Sequence, residues 1–527
     1  MAATALAISA PAVAGLTSGC AVSEADVHRW ETTEAGPEKL YAIVTHDKYA
    51  WSLRDEAALS LVRMHPRNGK RVGLEYLALG YDTSQGKVQG ALSVLTEEAR
   101  RHIVDDITPK LVAAMTQPPP PKAAEGAAAQ PDPSIPYKDA SFALLSHEPP
   151  LVVDEKSKGD IVAALTQWVQ TDFEDRVDNG DQQFGVEQIM RFLGAPSVKM
   201  LPSTITLDST KVDKACQLIA DIGDDDTKKR ASEALVGMAK QIDSSAWLDK
   251  QRALVNEANA QAKISATAAQ VSAQLQQYQE QELVKVFADM KRVGGRPVVE
   301  YCLGFARDKN KSEKMRVDAL AALENRVDRT NPSDVNTIFD LVKDDSTPDK
   351  VRGMAMARLG ELPKDMVVPK LYTLFDKKWQ VRIDAARLVL KSMTTKDVPD
   401  FMRHLPENAK TKMALSEPIT YGALILQMDQ SAPAGAPKAR DVLNQFLGSG
   451  VLGAKLTAAG SYYTAKKSDA GPVRALEGDK TPVPKCSDAD DCGWSCDVPK
   501  PGSKDKETKT ITTVGEFVQW CVEPSLQ

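Results

Sequence analysis

The chain has 527 residues, with 66 Lys and Arg against 72 Asp and Glu, a formal net charge of −6, 42% apolar residues and 26% charged ones. At roughly 150 residues per domain this length fits three domains or one long repeat array, and the composition is that of a folded, soluble chain. Balanced charge excludes a polybasic nucleic-acid binder, and 6% aromatics leave too few rings for a base-stacking platform.

Residues 1–19 begin MAATALAISAPAVAGL, an Ala-rich stretch without a charge, and run through Thr17-Ser18-Gly19 to Cys20. The polar run SEADVHRWE follows. An apolar core, a small-residue cleavage site and a cysteine in this order resemble a bacterial lipoprotein signal. The resemblance implies loss of residues 1–19, lipidation of Cys20, and an exported protein anchored in the bacterial envelope, on its periplasmic side or at the cell surface. No other stretch reaches the roughly 18 apolar residues of a spanning helix, so any membrane association is expected through the lipid.

Residues 20–116 read as an N-terminal helical unit. The segment 117–136, QPPPPKAAEGAAAQPDPSIP, carries seven prolines in twenty residues and reads as an extended linker. From 137 to 480 a pattern recurs that is also present before the linker. An Asp in a polar turn is followed by an Arg that opens a small-residue helix: Asp47 and Arg54, Asp225 and Arg230, Asp308 and Arg316, Asp345 and Arg352, Asp376 and Arg382. Asp308, Asp345 and Asp376 are 37 and 31 residues apart, within the period range of helical solenoids. In IDAARLVL, Ile383, Ala386 and Leu390 share one face, and Asp384 and Arg387 point elsewhere. Leu193-Gly194-Ala195-Pro196 and Leu359-Gly360-Glu361-Leu362-Pro363 read as a left-handed glycine stop and a proline-started second helix.

These residues, above all the stretch 350–390, resemble the HEAT-repeat family, whose units are antiparallel helix pairs. The resemblance implies an all-α, HEAT-like α-solenoid in which the Asp and Arg pair between neighbouring units. It extends over 296–405, more loosely over 183–243 and 37–80, and fades over 406–480. Residues 251–293 match no repeat and contain neither Pro nor Gly across 43 residues; good helix formers dominate. One continuous helix there would be about 65 Å long, either an elongated repeat helix or a protruding arm.

The C-terminal module, 481–527, is loop-rich and holds Cys486, Cys492, Cys496 and Cys521. Two disulfides with three possible pairings are expected; the competing zinc site lacks a C-x2-C knuckle. Cys216 and Cys302 sit in apolar helical contexts and read as buried thiols.

Little else points to chemistry. The six histidines include no His–His pair at i, i+4 and read as structural or surface groups. Gly448-Ser449-Gly450-Val451-Leu452-Gly453 matches G-x-G-x-x-G, but a helical pattern precedes it in place of a strand, so no dinucleotide site is expected. Asp175 to Asp181 lacks ligating side chains at the third and twelfth positions of a calcium loop. The expectation is therefore a non-enzymatic scaffold without cofactor or metal that binds a protein or peptide at the cell envelope. Arg387 and Lys391, an exposed i, i+4 stripe, are the candidate partner-binding residues, with Arg358 their counterpart one repeat earlier. The alternative is a cytosolic helical-repeat adaptor or regulatory subunit with a zinc-stabilised tail.

Overall fold

The computed structural model describes residues 22–84, 86–121, 131–177, 182–484, 493–500 and 505–527. Contacts divide the chain into two compact units, Met1–Ala234 and Leu235–Gln527. In each unit the described residues are largely helical, and the strands form two short antiparallel hairpins, Tyr81–Thr83 with Gly86–Val88 and Ser495–Pro499 with Lys506–Thr510.

In the first unit the helix Glu24–Trp30 packs on the helix pair Gly36–Thr45 and Trp51–Arg63, and Trp51–Arg63 packs on the helix Glu97–Met115, which packs on Glu155–Gln170. Helices on the two sides of the Pro-rich segment 117–136 lie against each other: Ile135–Ser146 packs on both Trp51–Arg63 and Glu97–Met115. Buried polar contacts cross that segment too, with Arg71 Nε 2.6 Å from Asp139 and Ser157 donating to Asp105 across 2.8 Å. The described residues on both sides of 122–130 thus belong to one compact unit.

The second unit stacks helix pairs. Arg296–Arg307 packs with Glu313–Ala321, Pro332–Lys343 with Asp349–Leu359, and Lys364–Tyr372 with Trp379–Lys391. The second helix of each pair also contacts the second helix of the next, from Glu313–Ala321 through Asp349–Leu359 and Trp379–Lys391 to Ser416–Gln427 and Leu452–Gly460. This is the all-α, HEAT-like arrangement, and it continues past residue 405, where the sequence pattern fades. Ile383, Ala386 and Leu390 all lie in the core. The alanines let backbones approach, and the same need shows at Gly422, where a Cβ would stand 2.6 Å from the Ser461 backbone.

Two expectations about helix ends are corrected. Residues 251–293 are not one helix: Ser245–Gln261 and Ala268–Val293 are separated by a break at Lys263, whose φ is 55°. Thr267 and Gln270 then start the second helix with a reciprocal capping box. Gly194 takes the expected positive φ of 72°, but Gly360 is right-handed, with φ −66°. It is glycine for space, since a Cβ there would meet Leu388 Cδ2 at 3.0 Å.

The Asp–Arg expectation also changes. Arg54 donates to the Val44 carbonyl at 3.0 Å and Arg316 to the Ala306 carbonyl at 2.7 Å. Both carbonyls end the first helix of the same pair, where main-chain acceptors lack intrahelical partners and carry negative potential. Lysines make the links between neighbouring turns instead. Lys309 lies 3.0 Å from Asp344 and Lys377 3.1 Å from Asp345. Ser346, with Lys309, holds the Asp344 carboxyl well below the usual carboxylate range. Among the described arginines of this pattern, Arg382 reaches across to a carboxylate of the following pair, pairing with Glu417 of the helix Ser416–Gln427 at 2.7 Å.

The C-terminal module joins Cys496 to Cys521; Cys486 and Cys492 lie outside the described residues. Trp494 stacks edge-on to Phe517 and donates its indole N–H to the Met413 carbonyl at 2.7 Å, so the module is seated on the last repeats by a buried aromatic.

Candidate functional site

The expected partner-binding residues come from the helices Asp349–Leu359 and Trp379–Lys391. Arg387 and Lys391 are exposed, one turn apart, and Arg387 lies 3.3 Å from Asp384. Burial raises the Asp384 carboxyl, against the pull of Arg387. Arg358 does not join this stripe: only 6% of it is exposed, and it pairs with Glu361 at 2.9 Å. It is turned toward the preceding helix pair, where Lys291, and after it Arg358, hold Glu324 below its ordinary value. Its long stem is packed and its charge is used inside the array.

Lys391 instead borders a cleft that the sequence did not reveal. Leu359, Leu362, Val367 and Leu371 form its floor, with Leu388 on the wall, and Lys364 and Lys391 stand at its rim. Its volume is about 220 Å³, enough for one or two apolar side chains. The floor leucines are buried, whereas Leu388 and Val368 are half-buried and Lys364 and Lys391 exposed. Such a site takes an apolar side chain by burial and favours a nearby carboxylate through the two ammonium groups.

The glycine run at 448–453 offers no phosphate cradle. Leu452 and Gly453 open the helix Leu452–Gly460, and their N–H groups already donate to the carbonyls of Glu407 and Pro406, at 3.0 and 2.8 Å. His147 is likewise engaged locally, 3.3 Å from Ser93 Oγ and 2.8 Å from the Pro149 carbonyl.

One histidine departs from the structural reading. His102 lies on the helix Glu97–Met115 with Asp106 one turn on, and Asp55 faces them from the helix Trp51–Arg63. Asp55, 5% exposed, is pushed well above the usual carboxylate range by burial and by the neighbouring Asp106, against Lys110 and Arg54. The His102 ring packs on Trp51 with centroids 4.2 Å apart, and Arg54 covers Trp51 at 4.3 Å. The His-x3-Asp spacing of His102 and Asp106 was the available signal. Asp55 has no local pattern that connects it to them.

Cys20 lies outside the described residues, as does most of the stretch Asp175 to Asp181. Among the described residues no helix is long and apolar enough to cross a membrane.

No family model matches this chain, and no curated protein matches it. Among solved structures it is similar to a chain of the AP-3 complex, a homology model of an intermediate open conformation. That likeness has 10% identity, covers 86% of this chain and 76% of the other, and gives a TM-score of 0.36. It is also similar to importin beta, at 12% identity, 84% and 64% coverage and a TM-score of 0.24. A Kap121p mutant follows at 12% identity and a TM-score of 0.26, with 86% of this chain and 43% of that one covered. The chain thus spans less than two thirds of the length of these last two. At these scores and identities the fold is read from the chain's own helices.

Proposed function

We propose that this protein is a non-enzymatic helical-repeat scaffold that captures a protein partner in the cleft between the helices Asp349–Leu359, Lys364–Tyr372 and Trp379–Lys391. The observation that carries this reading is an apolar cleft of about 220 Å³ floored by Leu359, Leu362, Val367 and Leu371 and rimmed by Lys364 and Lys391. The partner segment inserts an apolar side chain and sets a carboxylate against Lys364 or Lys391, with Arg387 one turn away extending the cationic rim. Stacked helix pairs suit this work, because each adds a similar ledge to a continuous surface.

The scaffold is placed at a bacterial envelope and held there by lipid on Cys20. The uncharged stretch 1–16 and the Gly19-Cys20 pair support that placement. Intact mass of protein from its native host tests it: an acylated chain starting at Cys20 is expected, and an unlipidated full-length chain refutes it.

The cleft is tested with fluorescent peptides bearing a Leu or Phe flanked by Asp or Glu, read by anisotropy. Leu388→Glu and Lys391→Glu are each expected to weaken binding at least about tenfold, equivalent to ~1.4 kcal/mol. Equal affinity for wild type and both variants, with unchanged circular dichroism, removes the cleft from the proposal.

A further inference from the structure

The Asp55, His102 and Asp106 cluster belongs to the first unit, and the helices that form the cleft belong to the second. The helix Glu97–Met115 presents His102 and Asp106 one turn apart, on one face. Asp55 comes from the helix Trp51–Arg63, packed alongside. One ligand atom from each residue falls within 4.8 Å of the others, and His102 Nε2 stands 3.9 Å from Asp106 Oδ2. Two of the polar atoms in this cluster are left over by the protein itself. Asp55 Oδ1 and His102 Nε2 are both buried and have no hydrogen-bond partner. An oxygen left without a partner on a residue as buried as Asp55, at 5% exposure, is costly.

From this geometry we infer that Asp55, His102 and Asp106 bind a single divalent cation of the zinc class, using two carboxylate oxygens and one imidazole nitrogen. A cation answers the unpartnered atoms and the juxtaposed carboxylates together. Ligands at about 2.0–2.2 Å around a tetrahedral ion lie about 3.3–3.6 Å apart, so the cluster closes by roughly an ångström on loading. The donor set decides the class of ion. Imidazole suits zinc and its first-row neighbours, whereas calcium and magnesium take oxygen ligands throughout.

Trp51 provides the orienting contact for the histidine ring, the part that outer residues play around metal-bound imidazoles. Two cations lie near. Arg54 is committed to the Val44 carbonyl and the Trp51 ring, and Lys110 stands 3.9 Å from Glu56. Three protein ligands leave a fourth position to water. The ion would therefore join the helices Trp51–Arg63 and Glu97–Met115 and keep one exchangeable site.

The test uses the full, oxidised chain stripped with chelator, so that thiols do not compete. Zinc binding is measured by calorimetry and Co(II) binding by its visible ligand-field absorption. One equivalent is expected, with His102→Ala and Asp106→Asn each weakening it at least about tenfold. A tenfold excess of magnesium or calcium is expected not to displace it. His102 is partly exposed, so its replacement leaves the fold intact, and circular dichroism checks this. No Co(II) or zinc binding by wild type, or unchanged binding in His102→Ala, overturns the proposal.

Discussion

Arg382 and Glu417 form the most deeply buried ion pair described, at 1% and 0% side-chain exposure, and they join two successive helix pairs. Arg382 Nε and Nη2 reach the two Glu417 oxygens at 2.7 and 2.9 Å. The guanidinium also donates to the Phe375 carbonyl at 3.0 Å and to the Lys412 carbonyl. Glu417 accepts further from the Ala414 N–H at 2.7 Å and the Tyr421 hydroxyl at 2.8 Å. Burial, and then Glu417, push the Tyr421 phenol well above its ordinary value, so it stays protonated and donates.

Arg382→Ala removes two charge-assisted donors and leaves a buried carboxylate with two neutral ones. Breaking a buried pair from one side costs about 3–5 kcal/mol. Glu417→Leu strands the guanidinium and costs a similar amount. The double variant, Arg382→Ala with Glu417→Leu, leaves no orphan charge, only the unpaired Tyr421 hydroxyl, Ala414 N–H and the carbonyls that Arg382 held. Its cost is therefore well below the sum, with a coupling of at least ~2 kcal/mol. Calorimetry and urea melts on the full chain measure this. Two units need not unfold together, so the affected transition is followed by itself. A cost below ~1 kcal/mol for Arg382→Ala, or additive single effects, refutes the reasoning.

Other expectations follow from single contacts. Gly422→Ala puts a methyl 2.6 Å from the Ser461 backbone and is expected to destabilise by about 1–3 kcal/mol, whereas Gly448→Ala, with open space around its Cβ, is expected to be neutral in the same melts. Cys496→Ser opens a disulfide spanning 25 residues and lowers stability of the C-terminal module by about 2–4 kcal/mol, read by its thermal transition or by earlier proteolysis there. Burial pushes the Cys302 thiol up to about 12. Its raised value means the reactive thiolate is suppressed at neutral pH and gained only as pH rises toward that value. Native protein at pH 8 should leave Cys302 unalkylated by iodoacetamide in peptide mass maps, while denatured protein is modified.

The helix pairs were legible because they rest on local rules: apolar spacing, alanines at close approaches, glycine and proline at ends. Repeats beyond residue 405 were not, because a helix such as Ala439–Asn444 has six residues, under two turns and too short to show a period. The break between Gln261 and Ala268 turns on one left-handed residue, Lys263, in a run without Pro or Gly, although the Thr267–Gln270 capping box was readable. Arg358 shows a different limit. Periodicity assigns apolar residues to a core face, but a charged residue beside them can also turn inward when carboxylates meet it there, as Glu324 of the preceding pair and Glu361 of its own turn do. The cleft beside Lys391 and the Asp55–His102–Asp106 cluster depend on how separate helices meet, which no local spacing encodes.

The central claim is that the cleft beside Lys391 receives a partner. The most direct test replaces Ser392, which lines that cleft, with a photocrosslinking amino acid in the native host, and places the same group at exposed Lys438 as a control. A covalent adduct with one polypeptide is expected at position 392, absent at 438 and lost when Leu388→Glu is added. Adducts equal at both positions, or an adduct at 392 that survives Leu388→Glu, contradict the claim.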